Sequence, residues 1–232
     1  MTSKSKNILV IGSSRGIGRE LVKIFANDTG NKIIALSRNT EALADFGSTE
    51  NIDYHGFDLA SKTVKEDLAG ILNKYDRIDI VIHNAGKLVN KPFEVLSRSE
   101  IEACYQTNVI GVMLATQAIL PKMKDQGGHI VNISTMGAFQ GSVKFPGLSA
   151  YSTSKAGLVS FTELFAEEYK DTGIRMNCLC LGAVQTEMLE EAFPDFKTPL
   201  TPAEMASFIA DFAYNAHRFM NGKVIPVSSG NP

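Results

Sequence analysis

The stretch Ile8-Leu9-Val10-Ile11-Gly12-Ser13-Ser14-Arg15-Gly16-Ile17-Gly18, continued by Arg19-Glu20-Leu21-Val22-Lys23-Ile24-Phe25, decides the fold. Four successive apolar residues suit a strand covered on both faces. Glycines then interrupt the run, and an amphipathic helical pattern carries on through Phe25. Glycines at such a turn permit a tight bend, bring backbone N–H groups close to an anion, and let the helix pack closely on a sheet. The spacing is G-x-x-x-G-x-G, not G-x-G-x-x-G. Alone, three glycines also describe a helix-start turn that binds nothing. Between the first strand and first helix of an α/β domain they point to a dinucleotide phosphate site, built from Gly12, Ser14, Arg15, Gly16, Ile17 and Gly18.

Working outward, further apolar runs at 33–36, 52–57, 78–82, 130–133, 174–181 and 224–227 bring the expected strands to seven. Between them, Val64, Leu68, Ile71, Leu72 and Tyr75 recur at helical spacing, as do Leu158, Phe161, Leu164, Phe165 and Tyr169. Thr201-Pro202-Ala203-Glu204 reads as a helix start, with Thr as N-cap, Pro at N1 and Glu at N3. The expected fold is α/β: a doubly wound, mostly parallel seven-stranded sheet with helices on both faces, Rossmann-like. At 232 residues and 44 % hydrophobic content, one domain over 1–232 is expected. The least regular stretch, about 186–200, mixes carboxylates with Phe193, Pro194 and Phe196, as a substrate lid would.

Composition excludes some partners. A formal net charge of -2 offers no field for nucleic acid or an anionic membrane. No apolar run approaches the ~20 residues of a membrane span, and the basic start at 1–6 precedes no secretory apolar region, so a cytoplasmic location is expected. Cys104, Cys178 and Cys180 are odd in number and read as free core thiols, the last two on one face of a strand. His55, His83, His129 and His217 are scattered, so no metal site is expected, and His83 reads as a satisfied histidine at a strand end.

Arg38, just past the second strand in Ser37-Arg38-Asn39, stands where a carboxylate would accept bonds from an unphosphorylated ribose. With Arg15 it would suit a dianionic 2′-phosphate, so the expected cofactor is NADP(H). Asp58, followed by Leu59, could accept from an adenine amino group or cap the helical segment at 61–74. Asn84-Ala85-Gly86 supplies small residues against which a flat ring could lie. Tyr151 and Lys155 lie four apart on a helical run and share one face. Free tyrosine has a pKa of about 10. A nearby ammonium favours the phenolate and is expected to move that value down. Ser134 or Thr135, ending the preceding strand, would hold a substrate carbonyl from the other side.

Taken in order, Gly12…Gly16-x-Gly18, Asp58, Asn84-Ala85-Gly86, Asn108, Asn132-Ile133-Ser134-Thr135, Tyr151-x-x-x-Lys155 and Gly182…Thr186 resemble the classical short-chain dehydrogenase/reductase family over nearly the whole chain. The resemblance implies that Tyr151 is the general acid/base and that Lys155 binds the nicotinamide ribose and lowers the tyrosine's pKa. It also implies that Asn108 holds a proton-relay water, that a hydroxyl orients the substrate oxygen, and that the segment Gly182, Val184, Thr186 lies near the carboxamide. The substrate would be a small-molecule carbonyl or alcohol; reduction is the expected direction because cells keep the NADP(H) pool reduced. Homodimers or homotetramers would form through helices near 99–122 and 151–170 and the last strand. The chain departs from the family pattern at Ile11, His83 and Leu181, where Thr, Asn and Pro are usual. Counting from the strand places the catalytic hydroxyl on Thr135; counting back from Gly137 selects Ser134. The interval from Thr135 to Tyr151 is longer than usual, so a few residues are inserted around 140–148. Met136, Phe139, Gln140, Phe145, Phe193, Phe196, Lys87 and Leu88 are candidate pocket residues. Two other readings stand beside this one: a catalytically idle NADP(H)-binding regulator or scaffold on the same fold, and an S-x-x-K hydrolase using Ser152 and Lys155. The tail at 227–232 is too short for another element.

Overall fold

A computed structural model describes residues 5–46 and 49–228. The tail beyond Ser228 lies outside them. The seven strands β1 (Asn7–Ile11), β2 (Lys32–Ser37), β3 (Ile52–Gly56), β4 (Ile80–His83), β5 (Gly128–Thr135), β6 (Ile174–Leu181) and β7 (Val224–Val227) form one sheet in the order β3-β2-β1-β4-β5-β6-β7. Every pairing is parallel. The expected architecture is therefore the observed one. All seven runs became strands: β1, β2 and β4 are buried nearly throughout and need no polar alternation, whereas the edge strands β3 and β7 are half-buried or exposed.

The helices are α1 (Gly16–Ala26), α2 (Val64–Leu72), α3 (Arg98–Tyr105), α4 (Gly111–Ile119), α5 (Ser149–Glu168), α6 (Glu187–Ala192) and α7 (Pro202–Asn215). Successive β1 residues serve opposite cores. Ile8 and Val10 pack with Leu21, Val22 and Phe25 of α1 and with Met205, Ile209 and Ala213 of α7. Leu9 and Ile11 pack with Val64 and Leu68 of α2, Val112 and Ala115 of α4, and Leu158 and Phe165 of α5. Cys178 and Cys180 share a small cluster with Met136; all three cysteines are buried and unpaired. The Thr201 capping box forms as read, with Pro202 opening α7.

The helix expected near 99–122 is interrupted. Gln106–Ile110 is one turn of π-helix between α3 and α4, closed by Gly111 N–H donating to the Gln106 carbonyl. Gly111 permits this: a Cβ there would meet the Leu59 carbonyl oxygen at 2.2 Å. The widened turn carries Asn108 fully inside the protein.

Strand order reverses between β1 and β4, and the crevice at such a reversal is where open α/β sheets bind ligands. There the Ala85 and Asn84 N–H groups both donate to the Ile11 carbonyl, at 2.8 and 3.0 Å. No described helix is long and apolar enough to cross a membrane.

Candidate active site

A cavity of about 590 Å³ opens along the carboxyl edge of the sheet. At one end it is lined by Ser37, Arg38, Asp58 and Leu59, then by Ser14, Arg15, Gly16 and Ile17 of the glycine turn. It continues past Asn84, Ala85 and Gly86 to Ser134, Thr135, Tyr151 and Lys155, and on to Gly182, Val184 and Thr186 beyond the end of β6. Residues far apart in the chain, from Ser14 to Thr186, thus line one space, while Gly18 and Asn108 do not line it.

The glycine turn has the shape a phosphate cradle requires. Gly12 adopts φ +93° and lies so close to β4's end that a Cβ would sit 2.5 Å from the Ala85 nitrogen. Gly12 and Ser13 both donate their N–H to the Leu36 carbonyl, at 2.8 and 3.2 Å, pinning the turn to β2. Gly18 does not line the cavity: a Cβ there would meet the Gly12 carbonyl oxygen at 1.9 Å, so its role is close packing beneath the turn. Helix α1 has neither a side-chain cap nor an acidic residue in its first turn, whereas α3 and α7 carry full capping boxes. Its first N–H groups are available to an anion in the adjoining cavity. Arg38 is exposed, and its guanidinium has no partner among the described residues. These features fit the phosphates of a dinucleotide. Arg15 differs from expectation: its guanidinium is held by Glu191 of α6, with Nη2 to Oε2 at 3.1 Å. Asp58 faces the cavity and accepts the Ala60 N–H at 2.9 Å; Thr63, not Asp58, stands at the α2 N-cap.

Tyr151 and Lys155 occupy the first two turns of α5 and both line the cavity. The Tyr151 hydroxyl makes no hydrogen bond to a described residue. Lys155 is buried, its Nζ donating to the Ile133 carbonyl at 2.8 Å, and burial pushes its pKa down to about 8. The expected lowering of Tyr151 is reversed. Burial raises its pKa to about 12, with the Cys104 thiol adding slightly, and Lys155 does not offset this. Desolvation penalises the phenolate more than the ammonium on the Ile133 carbonyl favours it. Ser152 packs toward Gly137 while Lys155 engages Ile133, so no Ser–Lys pair forms.

The two candidate hydroxyls differ. Ser134 is buried and donates to the Lys155 main-chain carbonyl at 3.1 Å. Thr135 is half-buried, and its Oγ1 accepts the Gly137 N–H at 3.3 Å, which leaves its proton free. Asn108 does not line the cavity. Its amide clamps residue 87, accepting the Lys87 N–H at 2.8 Å and donating to the Lys87 carbonyl at 2.9 Å, and it donates to Ser154 Oγ at 2.9 Å. His83 is only half satisfied. Nε2 meets Thr116 Oγ1 at 3.2 Å and Nδ1 has no partner; burial, with the charge of Lys155, lowers its pKa to about 3. Among the described residues no cluster of three His, Cys, Asp or Glu could hold a metal.

Of the candidate pocket residues, Met136, Phe145, Phe193, Phe196, Lys87 and Leu88 line the cavity. Phe139 instead packs against the Cys178–Cys180 cluster, and exposed Gln140 lies outside. Val143, Leu148, Met188 and Leu189 also line it and were missed. Val143 and Leu148 belong to the inserted loop, whose unusual length was the available signal. That loop is braced by Lys91 N–H donating to the Gly147 carbonyl at 2.9 Å.

Fold and site together define an oxidoreductase that works with a nicotinamide dinucleotide. The chain belongs to the short-chain dehydrogenase/reductase family: the model for "short chain dehydrogenase" matches residues 6–197. Among its relatives, the 3-oxoacyl-(acyl-carrier-protein) reductase FabG of Aquifex aeolicus is 31% identical over 244 residues, covering 98% of this chain and 97% of that one. The 2-(R)-hydroxypropyl-CoM dehydrogenase of Xanthobacter autotrophicus is 32% identical over 200 residues, covering 80% of this chain and 77% of its own. A short chain dehydrogenase from Escherichia coli CFT073, solved with NADPH, superposes with a TM-score of 0.85 at 28% identity, covering 95% of each chain.

Proposed function

We propose that this protein reduces a small-molecule carbonyl to a secondary alcohol with NADPH, and runs the reverse reaction with NADP. The observation that carries the reading is the unpartnered Tyr151 hydroxyl, lining the same cavity as Thr135, Lys155 and Gly86 and continuous with Arg38. The nicotinamide, when bound, supplies or accepts the hydride. With its pKa near 12, Tyr151 is protonated at neutral pH, the form needed to donate to a carbonyl oxygen as negative charge develops there. Thr135 is assigned the second hydrogen bond to that oxygen, because Ser134 already spends its proton on the Lys155 carbonyl. Lys155 would hold the nicotinamide ribose, and Thr186 and Val184 would flank the carboxamide. Arg38 and Arg15 would hold the 2′-phosphate, and the first N–H groups of α1 the other adenine-side phosphate. Asp58 is assigned the adenine amino group.

The substrate half of the cavity is walled by Met136, Val143, Phe145, Leu148, Phe193 and Phe196, which suits an apolar body around the reacting carbonyl. The residues at 186–200 act as its lid. We place the protein in the cytoplasm as a homodimer or homotetramer; exposed Ile110, Met113 and Leu164 on the helices beside the site support the assembly. An NADPH-oxidation screen over aldehydes, ketones, diketones, quinones and 3-oxoacyl thioesters tests the activity. With a substrate found, Tyr151→Phe should abolish turnover and leave NADPH affinity within a few fold. Cofactor binding with no turnover across the panel would favour the idle regulator instead, and full activity of Tyr151→Phe would remove the proton role.

A further inference from the structure

Helix α6 leans two carboxylates over the glycine turn. Glu191 grips Arg15 through both of its carboxylate oxygens, and Glu187 Oε2 lies 3.3 Å from where a Cβ on Gly16 would stand. Lys87, across the cavity, acts on the same carboxylate: Arg15 chiefly, and Lys87 in addition, hold Glu191 below the usual carboxylate range. Among the described residues Arg15–Glu191 is the only ion pair joining the lid to the cofactor half of the cavity, since Lys197–Glu190 lies within the lid itself. The rest of α6 is independently held. Thr186 caps it through the Leu189 N–H at 3.3 Å, and Asn90 donates to the Ala192 carbonyl at 2.8 Å. The lid therefore sets a carboxylate on the guanidinium assigned above to the 2′-phosphate.

We propose that Glu191 is a determinant of cofactor choice: it competes with the 2′-phosphate for Arg15, so that NADPH must release this hold of the lid while NADH enters with it intact. The inference rests on the assignment of Arg15 to the phosphorylated ribose. Glu191 takes the Nη1 and Nη2 edge of the guanidinium, so a phosphate binding that edge must displace it, and one approaching the Nε edge still meets the repulsion of the nearby carboxylate. Binding of the phosphorylated cofactor then frees α6 from the glycine turn, and the affinity for NADPH is lower than Arg15 and Arg38 alone would give. An unphosphorylated ribose makes no such demand, so NADH affinity is indifferent to Glu191.

Isothermal titration calorimetry of this chain with NADPH and with NADH tests this on wild type, Glu191→Gln and Arg15→Met. The Gln variant keeps the size of the side chain and removes its charge. It should tighten NADPH by about two- to fivefold and leave the NADH affinity essentially unchanged, and Arg15→Met should weaken NADPH. An unchanged NADPH-to-NADH affinity ratio in Glu191→Gln, with Arg15→Met weakening NADPH, would overturn the competition and leave the phosphate assignment standing. If Arg15→Met leaves NADPH affinity unchanged, the assignment of Arg15 falls and takes the proposal with it.

Discussion

Replacing Asn108 by Ala should loosen both sides of the catalytic cavity at once. The side chain is fully buried and spends its amide on three hydrogen bonds, two to the main chain of Lys87 and one to Ser154. Lys87 follows the glycine at the nicotinamide end, and Ser154 precedes Lys155 on α5. Each neutral hydrogen bond contributes about 1 kcal/mol net. Ser154 keeps its own donation to the Tyr151 carbonyl at 2.7 Å, and water can reach exposed Lys87, so none of the released partners is stranded. The expected loss is roughly 3 kcal/mol. In a chain of this size 1 kcal/mol shifts Tm by about 2–4 °C, so thermal unfolding should move down by about 6–12 °C. The variant keeps its main chain at the π-turn, so activity below the transition should fall about tenfold, through kcat more than KM, instead of vanishing. A Tm drop under about 2 °C would show that the clamp stabilises nothing, because the net worth of even two such bonds exceeds that.

Other outcomes follow from the same geometry. Arg38→Asp removes an exposed, unpartnered guanidinium, so NADPH affinity should fall roughly 10- to 150-fold, the worth of a charged hydrogen bond, while NADH improves. An unchanged ratio by titration refutes its phosphate role. Thr135→Ala should lower kcat by about a hundredfold, and Ser134→Ala only a few fold. The reverse ranking in steady-state kinetics would reassign the hydroxyl. His83, with a pKa near 3 when folded, stays neutral where the unfolded chain protonates, below about 6.5. Its stabilising effect is therefore complete above pH 6.5 and is lost as pH falls toward 3, by up to about 1.4 kcal/mol per pH unit. His129, lowered to about 4, acts in the same direction. Urea unfolding at pH 7.5 and 5 should show that His83→Asn flattens part of this slope, and an identical slope would refute the burial argument.

What the amino-acid sequence determined by itself is local or ordered along the chain. The continuous apolar runs within β1 and β2 specify buried parallel strands, because a two-sided environment imposes no alternation. Thr201 and Glu204 specify a helix start because a capping box closes within four residues. The glycine turn, Arg38, the Asn84–Gly86 turn and the Tyr151–Lys155 pair converge because strand ends in a doubly wound sheet all open on one edge. Tertiary structure alone decided the rest. Arg15 and Glu191 are 176 positions apart, and no periodicity relates them. The choice between Ser134 and Thr135 turns on a single register step, which reverses the face of a strand and which counting from either end left open. The inward turn of Asn108 comes with a π-turn that no local spacing announces, followed by Gly111 packed against the Leu59 carbonyl. The direction of the Tyr151 shift came from burial, a property of the assembled cavity that spacing on a helix cannot express.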